Sequence, residues 1–192
     1  MALVVKLYQK LFLWLVSAIA LLSLTGCQTL WGLGQYSVQR VSDGDTLTVV
    51  DTKGTVMHVR FACVDAPEIP HSTKERASKK AVDRDQFKWG IKATRRLQQL
   101  ISQGGDRVNL RIVDSDRYGR KVAEVRLGDG TLVQEVLARE GLALVYPTYL
   151  KNCPSAAAIE QAAAIAQQQG QGVWSDAKFV EPWKYRNRIS KR

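Results

Sequence analysis

Cysteine and histidine are scarce in this chain of 192 residues, which holds three of the first and two of the second. Nothing forms a Cys-x-x-Cys pair or a Cys/His cluster, which argues against a zinc site. His58 and His71 lack the neighbours that make a histidine catalytic and read as bystanders. No internal repeat is visible. Acidic residues are in deficit, with 18 Asp+Glu against 28 Lys+Arg and a formal charge of +10. A surplus of that size favours a polyanionic partner, either nucleic acid or an anionic membrane surface. Charged residues at 24% and hydrophobic residues at 45% argue against a disordered chain and suffice for a buried core. The length suits one domain with additions.

A long apolar run occurs at the start of the chain. Lys6 and Lys10 form a short positive region, the run extends from Leu11 to Leu24, and Thr25, Gly26 and Cys27 follow. This is the form of a secretory signal. The run is short of the roughly 20 apolar residues that a membrane span needs. Leu24-Thr25-Gly26-Cys27 resembles a bacterial lipobox, which implies a signal peptide over 1–26 and a lipid on Cys27. It implies export across the inner membrane and anchoring to the cell envelope through that lipid. Gln28, a residue other than Asp after the cysteine, leans toward the outer membrane. Residues 27–35, with Gly32 and Gly34, read as a tether. Loss of 1–26 removes two lysines and no acid, leaving 26 Lys+Arg against 18 Asp+Glu, or +8, so the polyanion argument survives cleavage. Export would place Cys63 and Cys153 in an oxidising compartment, either as a disulfide or as two buried free thiols.

Short runs of β-formers follow the tether. Tyr36 to Val41 is one, Thr46 to Val50 alternates with Leu47 and Val49 on one face, and Val56 to Val64 is a third after a turn at Gly54. Residues 65–86, with Pro67, Pro70 and many charges, read as a long loop. A helix is expected over about 86–102, its apolar face made by Phe87, Ile91, Thr94, Leu97 and Ile101 and its end marked by Gly104-Gly105. Val108 to Val113 and Val122 to Leu127 read as a strand pair. Thr131 and Gln134 have capping-box spacing for a short helix that Gly141 ends. Leu142 to Tyr146 reads as another strand, and an Ala-rich helix covers about 155–169. The segment 177–192 reads as a partly ordered basic tail. The sum is an α+β chain: a small five-stranded β-barrel of the OB-fold type with about three helices packed outside.

Three polar clusters sit at strand ends: Asp43-Gly44-Asp45-Thr46, Arg60 with Asp65-Ala66-Pro67-Glu68, and Asp116-Arg117-Tyr118-Gly119-Arg120. Each alone is consistent with an ordinary turn or solvated loop. Together and in this order they resemble the staphylococcal nuclease (thermonuclease) family, with Gly141-Leu142-Ala143 and Gly172-Val173-Trp174-Ser175 as further landmarks over about 36–176. The resemblance implies an OB-type barrel with three helices and a calcium-dependent phosphodiesterase acting on DNA, RNA or both with little sequence preference. It implies cleavage at the 5′-oxygen, leaving 3′-phosphates.

On that resemblance, Asp45, Asp65 and the backbone carbonyl of Ala66 are the candidate Ca2+ ligands. A hard divalent cation takes oxygen donors and offsets the charge that makes a phosphodiester resist attack. Ala66 departs from the family's frequent Thr, which a carbonyl ligand tolerates. Arg60 and Arg120 match the phosphate-binding arginines, whose planar forks suit phosphate oxygens. Glu68 matches the general base. Tyr118, Tyr146 and Tyr149 are candidates for stacking on bases, with Pro147 shifting the spacing around Tyr146. Trp89, Trp174 and Tyr36 read as packing residues. Lys74, Arg76, Lys79, Lys80 and Arg84, which follow Glu68, either help hold the polyanion or form a solvated charged loop. The alternatives to a nuclease are a non-catalytic OB-type nucleic-acid-binding lipoprotein and a basic lipoprotein that packs on the envelope. No protein partner is evident, and a monomer is expected.

Overall fold

The computed structural model describes residues 35–190. The expected signal peptide 1–26, the lipidation site Cys27 and all of the tether but its last residue lie outside the described residues. The barrel strands are β1 (Tyr36–Val41), β2 (Thr46–Val50), β3 (Val56–Phe61), β5 (Arg107–Ser115) and β6 (Lys121–Arg126). They close in the order β1-β2-β3-β6-β5. β3 and β6 run parallel, with Arg60 opposite Val122, and the other neighbours are antiparallel. Leu47 and Val49 of β2, Val59 and Phe61 of β3, and Val108 and Val125 of β5 and β6 are all 0% exposed and fill the interior. Period-two alternation sends these side chains inward and leaves Thr48 and Arg60 between them on the other face.

Outside the barrel stand α1 (Thr73–Arg76), α2 (Ala81–Gln103), α3 (Val133–Arg139), α4 (Ala156–Gln168) and α5 (Pro182–Ser190). A second, two-stranded sheet pairs β4 (Val64–Asp65) with β7 (Leu144–Val145), so the expected strand 142–146 is only two residues long. Cys63 and Cys153 are joined as a disulfide across a sequence separation of 90, with Cα atoms 5.5 Å apart. Buried Glu124 lies beside it and accepts from the Ser155 amide at 2.6 Å.

Four features depart from the sequence expectation. The segment 65–86 is a loop only as far as Ser72, whose side chain and that of Glu75 form a reciprocal cap on α1. α2 then starts at Ala81 rather than 86. Its buried stripe runs through Phe87, Gly90, Ala93, Leu97 and Ile101, while Ile91 faces outward at 44% exposure. Small residues line that stripe because another backbone passes too close for a large one. The capping box at Thr131 and Gln134 does not form. Gln134 is fully buried and instead clamps β6, accepting from the Val125 amide at 3.1 Å and donating to the Ala123 carbonyl at 2.9 Å. The basic tail, lastly, carries the helix α5, begun by a buried Pro182 and anchored by Tyr185, 5% exposed.

Candidate active site

The site grows from one end of the barrel. The β1–β2 turn carries Asp43, whose carboxylate accepts from the Asp45 amide at 3.0 Å and so orients the next carboxylate. Gly44 lies between them because a Cβ there would sit 2.7 Å from the Cβ atoms of both Ala66 and Ala93. Thr46 pairs with Arg60 across β2 and β3, which brings Asp45 beside the Arg60 guanidinium. Asp45 also accepts from the Ala66 amide at 2.5 Å, tying the turn to the segment that carries Asp65 and Glu68. Asp45 and Asp65 are 1% and 0% exposed. Arg60 ion-pairs with both, one terminal nitrogen on each. Two buried carboxylates demand a compensating cation, and their convergence on a single fork brings them close together. Asp43 also lines the site, and burial pushes its carboxyl above the ordinary aspartate value despite the nearby positive charge of Arg60.

Glu68 is placed by α2. Its backbone amide donates to Gln86 Oε1 at 3.2 Å. The 67–68 backbone presses against Gly90, where a Cβ would meet the Glu68 carbonyl oxygen at 2.1 Å and the Pro67 carbonyl oxygen at 2.7 Å. From the other side, the turn between β5 and β6 brings in Arg120. Asp116 is the hub of that turn: its carboxylate accepts from the Tyr118 and Arg120 amides at 2.9 and 3.0 Å and from Arg120 Nε at 2.7 Å. Burial works against the Asp116 charge, but these hydrogen bonds prevail and hold its carboxyl below the ordinary aspartate value. The Nε bond leaves the terminal amino groups of Arg120 outside that pair. Tyr118, 69% exposed, has the guanidiniums of Arg117 and Arg120 4.8 and 5.8 Å from its ring centre.

Arg60, Glu68, Arg120 and the three tyrosines 118, 146 and 149 line one pocket of about 650 Å3, together with Asp43, Asp116 and Arg117. Tyr146 meets Tyr149 edge-on at 4.8 Å. None of Lys74, Arg76, Lys79, Lys80 and Arg84 lines this pocket. Trp89, 6% exposed, is a packing residue between α2 and the core, with the ammonium groups of Lys92 and Lys88 4.3 and 4.9 Å from its ring centre. His58 bonds the Thr48 hydroxyl at 3.2 Å on the barrel exterior, and His71 is exposed.

The pocket also holds a residue that sequence reasoning missed. Arg186 of α5 donates to Asp65 Oδ2 and to Glu68 Oε1, each at 2.6 Å, and to Asp65 Oδ1 at 3.2 Å. Burial opposes its charge, but the bonds and negative field of Asp65 and Glu68 win, holding it more basic than an ordinary arginine. The available signal was Pro182 followed by Trp183 and Tyr185, a helix start with large apolar residues inside an otherwise basic tail.

The donor set suits a hard cation, since Asp45, Asp65 and a backbone carbonyl such as that of Ala66 offer only oxygen. Among the described residues, the one trio of His, Cys, Asp or Glu ligand atoms within 4.8 Å is Cys63, Glu124 and Cys153, and the disulfide consumes its sulfurs. A cation held by Asp45 and Asp65 would draw on two carboxylates and need carbonyl, water or substrate oxygens to complete its shell.

Residues 58–176 match the staphylococcal nuclease homologue family, a span from within β3 to just past α4 that leaves β1, β2 and Asp45 before it. The chain belongs to the staphylococcal nuclease family. Similar curated proteins include an uncharacterized endonuclease of Escherichia coli O157:H7, 35% identical over 151 residues that cover 79% of this chain and 84% of that one. A micrococcal nuclease of Shigella flexneri is 30% identical over 164 residues, 81% of this chain and 82% of its own. Endonuclease YhcR of Bacillus subtilis is 31% identical over 81% of this chain but only 13% of its own length. As a staphylococcal nuclease homologue, the chain is a nuclease. The family match ends ahead of α5, so Arg186 lies outside it.

Proposed function

We propose that this nuclease is a calcium-dependent phosphodiesterase that hydrolyses DNA, RNA or both with little sequence preference. The reading rests on one observation. Arg60, Glu68 and Arg120 line one pocket whose walls carry three tyrosines, and buried Asp45 and Asp65 both ion-pair with the Arg60 of that pocket. A binding module of this fold needs the tyrosines and the basic charge but has no use for buried carboxylates beside them.

Asp45, Asp65 and the Ala66 carbonyl would hold the ion, which supplies positive charge against the phosphate oxygens when bound. Arg120, paired with Asp116 through Nε, offers the fork of its terminal nitrogens, and Arg60, held by Asp45 and Asp65, adds its charge, so that both stabilise the charge that develops on the five-coordinate phosphorus. Glu68 takes a proton from the attacking water as the oxygen–phosphorus bond forms. The bond from phosphorus to the 5′-oxygen breaks. The product strand keeps a 3′-phosphate, and the released 5′-oxygen picks up a proton from solvent. Tyr118, Tyr146 and Tyr149 offer ring faces to any base, which explains a lack of sequence preference.

The same reading extends to the first residues. The Leu24-Thr25-Gly26-Cys27 motif supports export, cleavage before Cys27 and a lipid anchor in the envelope, with the nuclease domain beyond the tether. A Cys27→Ser chain that still partitions with membranes would end that part of the reading.

The deciding assay mixes the 28–192 fragment with denatured plasmid, with calcium or with chelator. Cleavage in calcium should vanish with chelator and fall by about 10²-fold or more in Arg60→Ala, Glu68→Ala and Arg120→Ala. Binding without cleavage by the parent protein would convert the reading to a non-catalytic nucleic-acid-binding protein.

A further inference from the structure

We infer that Arg186, carried on the C-terminal helix α5, is a third guanidinium of the active site and binds a phosphate oxygen of the nucleic-acid strand. The inference rests on the nuclease reading above and adds a substrate contact from outside the family match.

Three observations carry it. The first is that α5 is built into the site and does not merely lie near it. Tyr185 is buried, packs edge-on against Phe87 at 6.4 Å and donates to Asp83 of α2 at 3.1 Å. Trp183 stacks at a tilt on Tyr146 with ring centres 5.1 Å apart. Gln86, wholly buried, donates to the Val180 carbonyl with its amide nitrogen while its oxygen holds the Glu68 amide. One side chain thus fixes both the carboxylate segment and the approach to α5.

The second is the state of Asp65. Its Oδ1 accepts from both Arg60 and Arg186, and its Oδ2 accepts from Arg186. Both oxygens of Asp65 are engaged by guanidiniums, so a cation that takes Asp65 competes with them for the same carboxylate charge. Arg60 stays tied to Asp45 and is 14% exposed, whereas the Arg186 side chain is 41% exposed and is the freer to turn away.

The third is what Arg186 faces on turning away from Asp65. It lines the same pocket as Arg60, Arg120, Tyr118 and Tyr146. It keeps Glu68 on one nitrogen, and the rest of its fork then faces a pocket in which a phosphate oxygen of a bound strand can accept from it. A lysine at this position would bring the charge but not the fork.

The test compares Arg186→Ala, Arg186→Lys and, as a control for bulk charge, Arg188→Ala on the exposed side of α5, all in the 28–192 fragment. Binding of a fluorescent single-stranded phosphorothioate oligonucleotide is read by anisotropy in calcium across a salt series. Calcium binding without nucleic acid is read by calorimetry. Arg186→Ala should weaken oligonucleotide binding about tenfold and flatten the salt slope by about 0.7. Arg186→Lys should keep the slope and lose part of the affinity, and calcium should bind Arg186→Ala no more weakly than the parent. Unchanged oligonucleotide binding in Arg186→Ala would overturn the inference, and tighter calcium binding beside it would leave Arg186 as a counter-ion of Asp65 and Glu68 only. An equal loss in Arg188→Ala would also overturn it. A parent protein that binds the oligonucleotide but never cleaves denatured plasmid DNA in calcium refutes the nuclease mechanism and leaves this binding test intact.

Discussion

Replacing Gly90 with alanine sets two well-calibrated effects against each other. Gly90 lies in the interior of α2, where helix propensity alone favours alanine by about 1 kcal/mol. The structure reverses the sign. A Cβ would fall 2.1 Å from the Glu68 carbonyl oxygen and 2.5 Å from its carbonyl carbon, and both are backbone atoms without a rotamer to change. An ordinary contact begins at 3.4 Å, so α2 and the 67–68 segment must separate by more than 1 Å. Overpacking of this kind costs about 1–3 kcal/mol, and the net expectation is destabilisation by about 0–2 kcal/mol after the propensity gain. Function should suffer more, because the displaced segment carries Glu68. Misplacing a reacting group by about 1 Å is worth about 10²-fold in rate. Urea unfolding of Gly90→Ala and calcium-dependent hydrolysis of denatured DNA are the two assays. A variant more stable than the parent by the propensity value, with its rate intact, would refute the reasoning.

Two further outcomes can be checked independently. The Cys63–Cys153 disulfide closes a loop of 90 residues, so a Cys63→Ala/Cys153→Ala protein should lose about 2–5 kcal/mol in denaturant unfolding; an unfolding curve that matches the oxidised parent would show that the bond does not constrain the unfolded chain. The lowered pKa of Asp116 makes its hold on the Arg120 turn an asset that is present above the ordinary aspartate value of 3.8 and lost as pH falls through the lower folded value. NMR titration should find the Asp116 carboxyl ionising below 3.8, with Arg120→Ala moving it upward, and an unmoved titration in that variant would rule out the ion pair as a cause.

What could be read from the residues alone divides along physical lines. β1, β2 and the alternation of Leu47 and Val49 were legible because a half-buried strand repeats every two residues. That Arg60, Glu68, Arg120 and Tyr118 would line one pocket was legible because they stand in short motifs with a shared chemistry. The stripe of α2 was misread at Ile91, since apolar counting rewards bulk, while this interface selects for its absence at Gly90 and Ala93. The capping box failed for a related reason: Gln134 has the right spacing, but a buried clamp across β6 satisfies more polar groups than a cap would. Arg186 was out of reach because its role depends on where α5 docks, and a guanidinium in a basic tail carries no local sign of its partners 118 and 121 residues away.

The parallel pairing of β3 with β6 governs how this site could change over generations. Arg60 stands opposite Val122 in that ladder, two positions past Arg120, so strand register sets the gap between the two guanidiniums. A one-residue insertion inside either strand would turn its side chains inside out and separate the pair. The stretch from Ile69 to Lys80 carries no such tie to the barrel ladder and is free to vary in length. Descendants of this chain should therefore diversify around the rim while the spacing between the two forks stays constant.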